Sequence, residues 1–314
     1  MKRIFSTLSL LAFLAACGGD GTNPFTNPGT GGDTGGPGGD AAIPESLASD
    51  LQSFSYNANN ETLTVTGITQ DSSPFVVTYT RNAALDSGGY EAYTTQDDGL
   101  FRHVTAMVRQ SGNSGSVRAG VVATGGQFNR IHHGGYYERN GSYTHRTTGH
   151  ARYFGTYVGL TNAPTTDGTA PINPGTPAEI IPTRAVQVAG NVTISADFNN
   201  SSIEGSIYDR TLVDATAGQP AGASLPSIVL VTGAVAEDGT FFGEEIEYDG
   251  QVGKDIGDYG GIFGGPDAES LGGVVNLEEF DDSDFGWDGE VETGVFVLES
   301  CESAAGTHPL CSTP

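Results

Sequence analysis

Basic residues, methionine and tryptophan are scarce in this chain of 314 residues. Thirteen Lys and Arg stand against 38 Asp and Glu, which gives a net charge of −25, and there are only two Met and one Trp. The electrostatic field of so negative a protein repels phosphate backbones, which excludes nucleic-acid binding. Glycine is abundant instead: 47 of the 314 residues are Gly, roughly twice the average share of about 7%. A composition so rich in turn formers excludes a helical bundle, a coiled coil or a helical repeat.

Sequence motifs for catalysis and nucleotide binding are missing as well. The chain contains no Gly-x-Ser-x-Gly, no His-Glu-x-x-His and no P-loop, and Lys254 is the only lysine after Lys2. We therefore predict a protein that is not an enzyme and has no cofactor. The acidic segment 281–290 fails the EF-hand spacing, so we predict a solvated loop and no metal site, with weak calcium binding as the alternative.

The first residues have the pattern of an export signal. Two basic residues precede a mostly apolar stretch, residues 4–16, which is shorter than the roughly 20 residues of a membrane-spanning helix. It ends Leu14-Ala15-Ala16-Cys17-Gly18. Small residues before a Cys match the bacterial lipobox, in which a diacylglycerol is attached to the thiol. We predict a signal peptide over 1–16 and lipidation of Cys17; the alternative is an ordinary secretory signal with an incidental Cys.

Residues 17–40 have the composition of a tether. Apart from Cys17, they are Gly, Pro, Asn, Thr and Asp, with Phe25 as the only large apolar residue, and they cannot bury a core. Gly18, rather than Asp, follows Cys17, and by analogy with enterobacterial sorting this favours the outer membrane. We expect a protein anchored to the outer membrane by lipid and exposed at the cell surface.

Two further cysteines, Cys301 and Cys311, lie near the C-terminus. An exported chain meets an oxidising compartment, and an even number of remaining cysteines predicts one disulfide, Cys301–Cys311. A metal site that includes His308 is the alternative, although it lacks further thiols.

The second half of the chain consists of short apolar runs separated by turns. Eight runs follow one another from His150: His150–Gly159, Arg184–Phe198, Ser202–Asp209, Ser227–Ala236, Gly239–Tyr248, Tyr259–Gly264, Leu271–Glu278 and Glu292–Glu299. Mostly short connections between eight strands predict an all-β fold with an eight-stranded antiparallel up-and-down barrel. The segment 191–198 alternates with a period of two. We expect Val192, Ile194 and Phe198 to point inward, and Asn191, Thr193 and Asp197 outward.

The region before the barrel also has β-strand patterns. The segments 61–66, 75–79 and 120–123 form short β-rich runs. The dipeptide Asn140-Gly141 lies between two polar–aromatic runs and predicts a hairpin with a type I′ turn. We expect a small β-rich N-terminal domain over 41–148 and the barrel over 149–314.

The second half resembles the barrel domain of transferrin-binding protein B-like surface lipoproteins. The opening strand 149–159 reads Gly-x-Ala-x-Tyr-x-Gly-x-Tyr-x-Gly, and 260–274 resembles the family pattern Gly-x-Phe-x-Gly-Pro-x-Ala-x-Glu-x-Gly-Gly. Segments 190–198 and 294–297 follow the same order, so the resemblance covers about 150 residues. It implies an eight-stranded barrel with an N-terminal handle domain, held on the cell surface by a lipid. The best-known members capture host iron proteins. This chain has a single barrel, and no transferrin-contacting residue can be matched.

A group of histidines and tyrosines lies before the barrel and at the start of its first run, and imidazole and phenolate are ligands of haem iron. Our candidate ligands are His132, His145 and His150; the alternative is an aromatic β-surface with polar tips. The functional prediction is a binding module for a macromolecular partner in nutrient or iron uptake. The alternative is a lipocalin-like carrier of a small ligand such as haem. Residues 185–314 hold two basic and 24 acidic residues, so we expect a basic or neutral partner.

Overall fold

The computed structural model describes residues 42–67, 76–96, 102–112, 115–125, 131–163, 183–216, 218–278, 289–303 and 305–312. Within these ranges the chain forms sixteen β-strands and one α-helix, α1 (Glu45–Ala48). The predicted all-β class is confirmed. No helix in the described ranges is long and apolar enough to span a bilayer.

The first seven strands form an antiparallel sheet in chain order, which we call the N-terminal sheet. Most consist of β-branched, aromatic and small residues, as a half-buried pleated surface requires. Asp50 N donates to His133 O at 2.9 Å, which brings the first and last strands close together. The strands are β1 (Leu51–Asn57), β2 (Thr62–Gly67), β3 (Val76–Arg81), β4 (Glu91–Thr95), β5 (Val104–Gln110), β6 (Val117–Thr124) and β7 (His133–Arg139).

The other nine strands form a closed barrel of eight positions, as predicted. One position is shared by two short strands, β12 and β13, which pair with opposite ends of β11. The eight predicted runs agree with the strands to within three residues at each end. The strands are β8 (His150–Thr161), β9 (Val186–Asp197), β10 (Ser202–Leu212), β11 (Ile228–Val235), β12 (Thr240–Gly243), β13 (Ile246–Tyr248), β14 (Gly257–Gly264), β15 (Ser270–Leu277) and β16 (Glu292–Ser300).

The inside of the barrel is apolar and aromatic. Val192, Ile194 and Phe198 are at most 2% exposed and belong to its core cluster, which confirms their predicted inward orientation. Their neighbours Asn191, Thr193 and Asp197 are partly exposed on the outer face. Gly243 leaves room for a large inward-facing ring, because a Cβ there would lie 2.1 Å from Tyr259.

The N-terminal sheet packs against the outer wall of the barrel. Its buried residues form one apolar cluster with outward-facing residues of β8, β14, β15 and β16, among them Val158, Ile262, Val274 and Val295. The contact is close, since a Cβ on Gly135 would lie 2.2 Å from Val274 Cγ1. Strand β15 is therefore buried on both faces. The division into domains at residues 148 and 149 stays a prediction.

The predicted hairpin at Asn140-Gly141 is wrong. Strand β7 ends at Arg139, and no strand follows until β8. The ring of Tyr143 stacks on Phe263 with centroids 6.5 Å apart, and the Arg139 guanidinium lies 4.5 Å from the Tyr143 ring centroid. These contacts draw the segment 140–149 across to the barrel, because burying the Tyr143 ring there outweighs local turn preference.

Candidate functional site

The connections of the barrel differ between its two ends. Because neighbouring strands are antiparallel, successive connections alternate between the ends. The longer ones, 162–185, 213–227, 249–256 and 278–291, leave one end, which we call the loop end. The opposite end, which we call the turn end, has the short connections 198–201, 236–239 and 265–269, together with the segment 140–149 and the C-terminal tail. Recognition residues are found disproportionately on loops held by a rigid scaffold, so the loop end is the candidate site.

A buried ion pair lies inside the barrel beneath the loop end. Arg210 Nη2 donates to Glu292 Oε2 at 2.8 Å, and their side chains are 1% and 0% exposed. The Tyr157 hydroxyl donates to Glu292 Oε1 at 2.6 Å. Burial, reinforced by the charge of Glu292, raises the pKa of Tyr157, so it stays a neutral donor.

The same arginine positions one of the loops. Arg210 Nη1 donates to the carbonyl of Pro226 at 2.8 Å, and Leu225 N donates to Arg210 O at 2.8 Å. Asp249 N donates to Ser227 O at 2.9 Å, which joins this loop to its neighbour 249–256. The buried pair thus fixes the base of two adjacent loops.

The surface of these two loops combines exposed apolar side chains with acidic residues. Val213 is 39% exposed and Val252 is 92% exposed. Asp255 Oδ1 accepts from Gly257 N at 3.0 Å, so the 249–256 loop is held at its base. Partial burial, together with Asp255, Glu244 and Glu278, raises the pKa of nearby Asp258. Carboxylates are therefore crowded here, and a basic group would relieve their repulsion.

Described side chains that point into the barrel pack against one another. Phe263 lies at the centre of the turn-end half, with ring centroids 5.4–5.6 Å from those of Phe241, Phe198 and Tyr153. Tyr259 and Phe296 are 0% exposed in the same core. Towards the loop end the interior holds Tyr157 and the buried ion pair.

The candidate haem ligands lie in different places. His132 Nδ1 is 3.3 Å from Asp50 Oδ2, just before β7. His145 follows the far end of β7 by six residues, and its ring centroid is 6.5 Å from that of Tyr143. A strand of this length spans roughly 20 Å, so His132 is remote from His145. His150 is exposed, with Nδ1 3.5 Å from Asp197 Oδ1. Haem binding by these residues stays a prediction.

No group of three or more His, Cys, Asp or Glu in the described part of the chain is placed to hold a metal ion. The acidic segment considered for calcium falls mostly outside the described residues, as does Cys17. The disulfide Cys301–Cys311 is confirmed, with a Cα–Cα distance of 5.1 Å. It closes the tail directly after β16.

Three structurally important side chains escaped the sequence reasoning: Tyr90, Arg210 and Glu292. For two of them, Arg210 and Glu292, the sequence contains an indication of a special position. Arg210 is one of two basic residues in the acidic half and directly follows the predicted run Ser202–Asp209. Two glycines and several apolar residues surround Glu292, among them Val291 and Val295, and they likewise indicate a buried position. Nothing in the sequence singles out Tyr90.

Crystal structures of transferrin-binding protein B are among the solved structures that the chain matches. It matches the crystal structure of a double mutant of that protein from Haemophilus parasuis at 12% identity and a TM-score of 0.37. It matches the isotype 1 protein of Neisseria meningitidis at 16% identity and a TM-score of 0.33. Each match covers 80% of this chain and 54% or 52% of the other, so the chain spans about half the length of these proteins.

A structure described as a surface lipoprotein is also similar, at 14% identity and a TM-score of 0.33, over 78% of this chain and 95% of the other. No protein-family model matches the chain. No curated protein matches it either.

Proposed function

We propose that this protein is a lipid-anchored outer-membrane protein of the cell surface that binds a macromolecular partner through the loop end of its barrel. The observation that carries the proposal is the packing of side chains inside the barrel. The rings of Phe263, Phe241 and Phe198 contact one another towards the turn end, and the buried Arg210–Glu292 pair lies towards the loop end. A barrel packed in this way leaves its surface, rather than a cavity, to do the binding.

The chemistry of the loop end defines the kind of partner. Val252 projects from a loop flanked by Asp249 and Asp255, with Lys254 close to the ring of Tyr248. An apolar contact inside an acidic rim suits a protein surface that offers an apolar pocket and basic residues around it. Binding of such a partner weakens as salt rises, because the ions screen the attraction.

A role in nutrient or iron uptake is part of the proposal. The names of two similar proteins refer to transferrin, and the sequence motifs resemble the same family. The partner of this chain is defined here by its charge and surface chemistry, since no transferrin-contacting residue can be matched. Anchoring through Cys17 and the 17–40 tether would place the loop end away from the lipid surface.

Titration with haemin separates this proposal from the small-ligand carrier. We expect no Soret shift when haemin is added at micromolar concentration to the full chain. A saturable shift that is lost in His132→Ala, His145→Ala or His150→Ala would favour the carrier instead. An unsaturable shift that is equal in the three variants and the wild type would indicate nonspecific haemin adsorption, which leaves macromolecular binding in place.

A further inference from the structure

A polar cleft lies at the turn end, on the opposite side of the barrel from the loop end. Its volume is about 500 Å³, within the range of about 300–1,000 Å³ typical of ligand pockets. Three pieces of chain form its walls: the segment 140–149, the turn 265–269 and the start of the disulfide-closed tail. Its lining is entirely polar or glycine, with Arg146, Thr148, Asp267, Glu269, Ser300 and Glu302 among the lining residues.

Arg146 is held in place on one wall of this cleft. Its Nε donates to Thr148 O at 3.1 Å, Nη1 to Glu302 Oε2 at 2.7 Å, and Nη2 to His150 O at 3.4 Å. The guanidinium also lies over the ring of Phe198, 4.9 Å from its centroid. A guanidinium has five N–H groups. Within the described residues three are engaged, so two remain to donate to a ligand.

Hydrogen-bond acceptors also line this cleft. Among the described residues, neither Asp267 nor Glu269 makes a side-chain hydrogen bond, and both line the cleft. Ser300 Oγ accepts from Glu302 N at 3.1 Å, which leaves its own proton to donate. The cleft therefore presents fixed donors and free acceptors side by side.

We propose that this cleft binds a saccharide. An apolar ligand finds no apolar wall here, and an anion would be repelled by three carboxylates. A simple cation would leave the two N–H groups of Arg146 without acceptors. A neutral polyol satisfies the donors and the acceptors of the cleft together, because each hydroxyl donates one hydrogen bond and accepts others. Planar carboxylate and guanidinium groups can each engage two neighbouring hydroxyls.

The test is a ligand titration of the full chain, purified in a detergent without a sugar headgroup. The probes are glucose, galactose, mannose and N-acetylglucosamine, with their short oligosaccharides, followed by calorimetry and by saturation-transfer NMR. Spermidine and lysine are titrated in parallel as cationic and zwitterionic probes. The variants are Glu269→Gln and Asp267→Asn, which remove charge and keep volume. Glu237→Gln, an exposed residue at the same end, is the matched control.

We expect at least one saccharide to bind with a dissociation constant near or below about 1 mM, equivalent to roughly 4 kcal/mol. Glu269→Gln and Asp267→Asn should each weaken it at least tenfold, while Glu237→Gln leaves it unchanged and all three keep the wild-type melting temperature. Saccharide binding that the two cleft variants do not weaken would overturn the proposal. So would no saccharide binding at all, or binding of spermidine or lysine in its place.

Discussion

The Tyr90 hydroxyl accepts a hydrogen bond from Val297 N at 2.9 Å and donates one to Thr156 O at 3.0 Å. Thr156 and Val297 are opposite each other where β8, the first barrel strand, pairs with β16, the last. A side chain from just before β4 of the N-terminal sheet is thus inserted into the seam that closes the barrel. Arg109 supports it, with its guanidinium 5.6 Å from the Tyr90 ring centroid.

Replacing Tyr90 by Phe removes this bridge. Val297 N–H and the Thr156 carbonyl would be left buried without that partner, so we expect the free energy of unfolding to fall by about 1–3 kcal/mol. Chemical denaturation measures it. Tyr208→Phe, on the outer face of β10, is the control and should stay within about 0.5 kcal/mol of wild type. A Tyr90→Phe protein as stable as the control would show that the seam does not depend on the hydroxyl.

The buried Arg210–Glu292 pair predicts strongly coupled substitutions. Glu292→Gln leaves the charge of Arg210 buried without its counter-ion, and we expect a loss of about 3–5 kcal/mol. The double variant Arg210→Met, Glu292→Leu removes both charges and should recover most of this loss. Thermal and denaturant unfolding of the single and double variants measure the coupling. Additive losses would contradict the pairing.

Acid should weaken the fold through His103, which is partly buried, and His133, which is buried. Burial, assisted by the charge of Arg184, lowers the pKa of His103 to about 4, and burial lowers the pKa of His133 as well. Between pH 6.5 and about 4 the unfolded chain therefore binds protons that the folded chain does not, and stability falls as pH falls. His103→Gln should lose less stability than wild type across this window, with the exposed His150→Gln as control. Equal pH slopes in all three proteins would contradict this.

The proposed lipid anchor depends on one thiol, that of Cys17. Cys17→Ala should leave an unprocessed, unlipidated precursor, because the acyl acceptor is gone. Metabolic labelling with palmitate, followed by fractionation of the envelope, measures this. Label that persists in the variant would refute lipidation at Cys17.

The barrel was predictable because its strands are local and regular. The alternation in 191–198 fixes which side chains face inward, and antiparallel neighbours with short connections leave few ways to arrange eight strands. The N-terminal sheet was predicted less completely, since β1, β4 and β5 were not identified individually. The hairpin at Asn140-Gly141 failed because Tyr143 gains a distant partner, Phe263, that local sequence does not reveal.

The features of the site that depend on contacts distant in sequence escaped prediction for the same reason. Arg210 and Glu292 are 82 residues apart, and Tyr90 and Val297 are 207 apart. Neither spacing nor composition reveals such pairs, because their members meet only when the barrel closes and the N-terminal sheet packs against it. The disulfide was predictable because only two cysteines remained after Cys17.

Affinity capture with loop-end variants tests the central claim most directly. The full chain is compared with Val213→Asp, Val252→Asp and, as a control, Leu310→Asp, an exposed apolar residue of the tail at the turn end. Bound proteins are cross-linked, quantified by mass spectrometry and eluted with salt. We predict one partner with a basic or neutral surface that binds wild type and Leu310→Asp, is lost from both loop-end variants and elutes as salt rises. A partner retained equally by all four proteins, or none enriched by the wild type, would contradict macromolecular binding at the loop end.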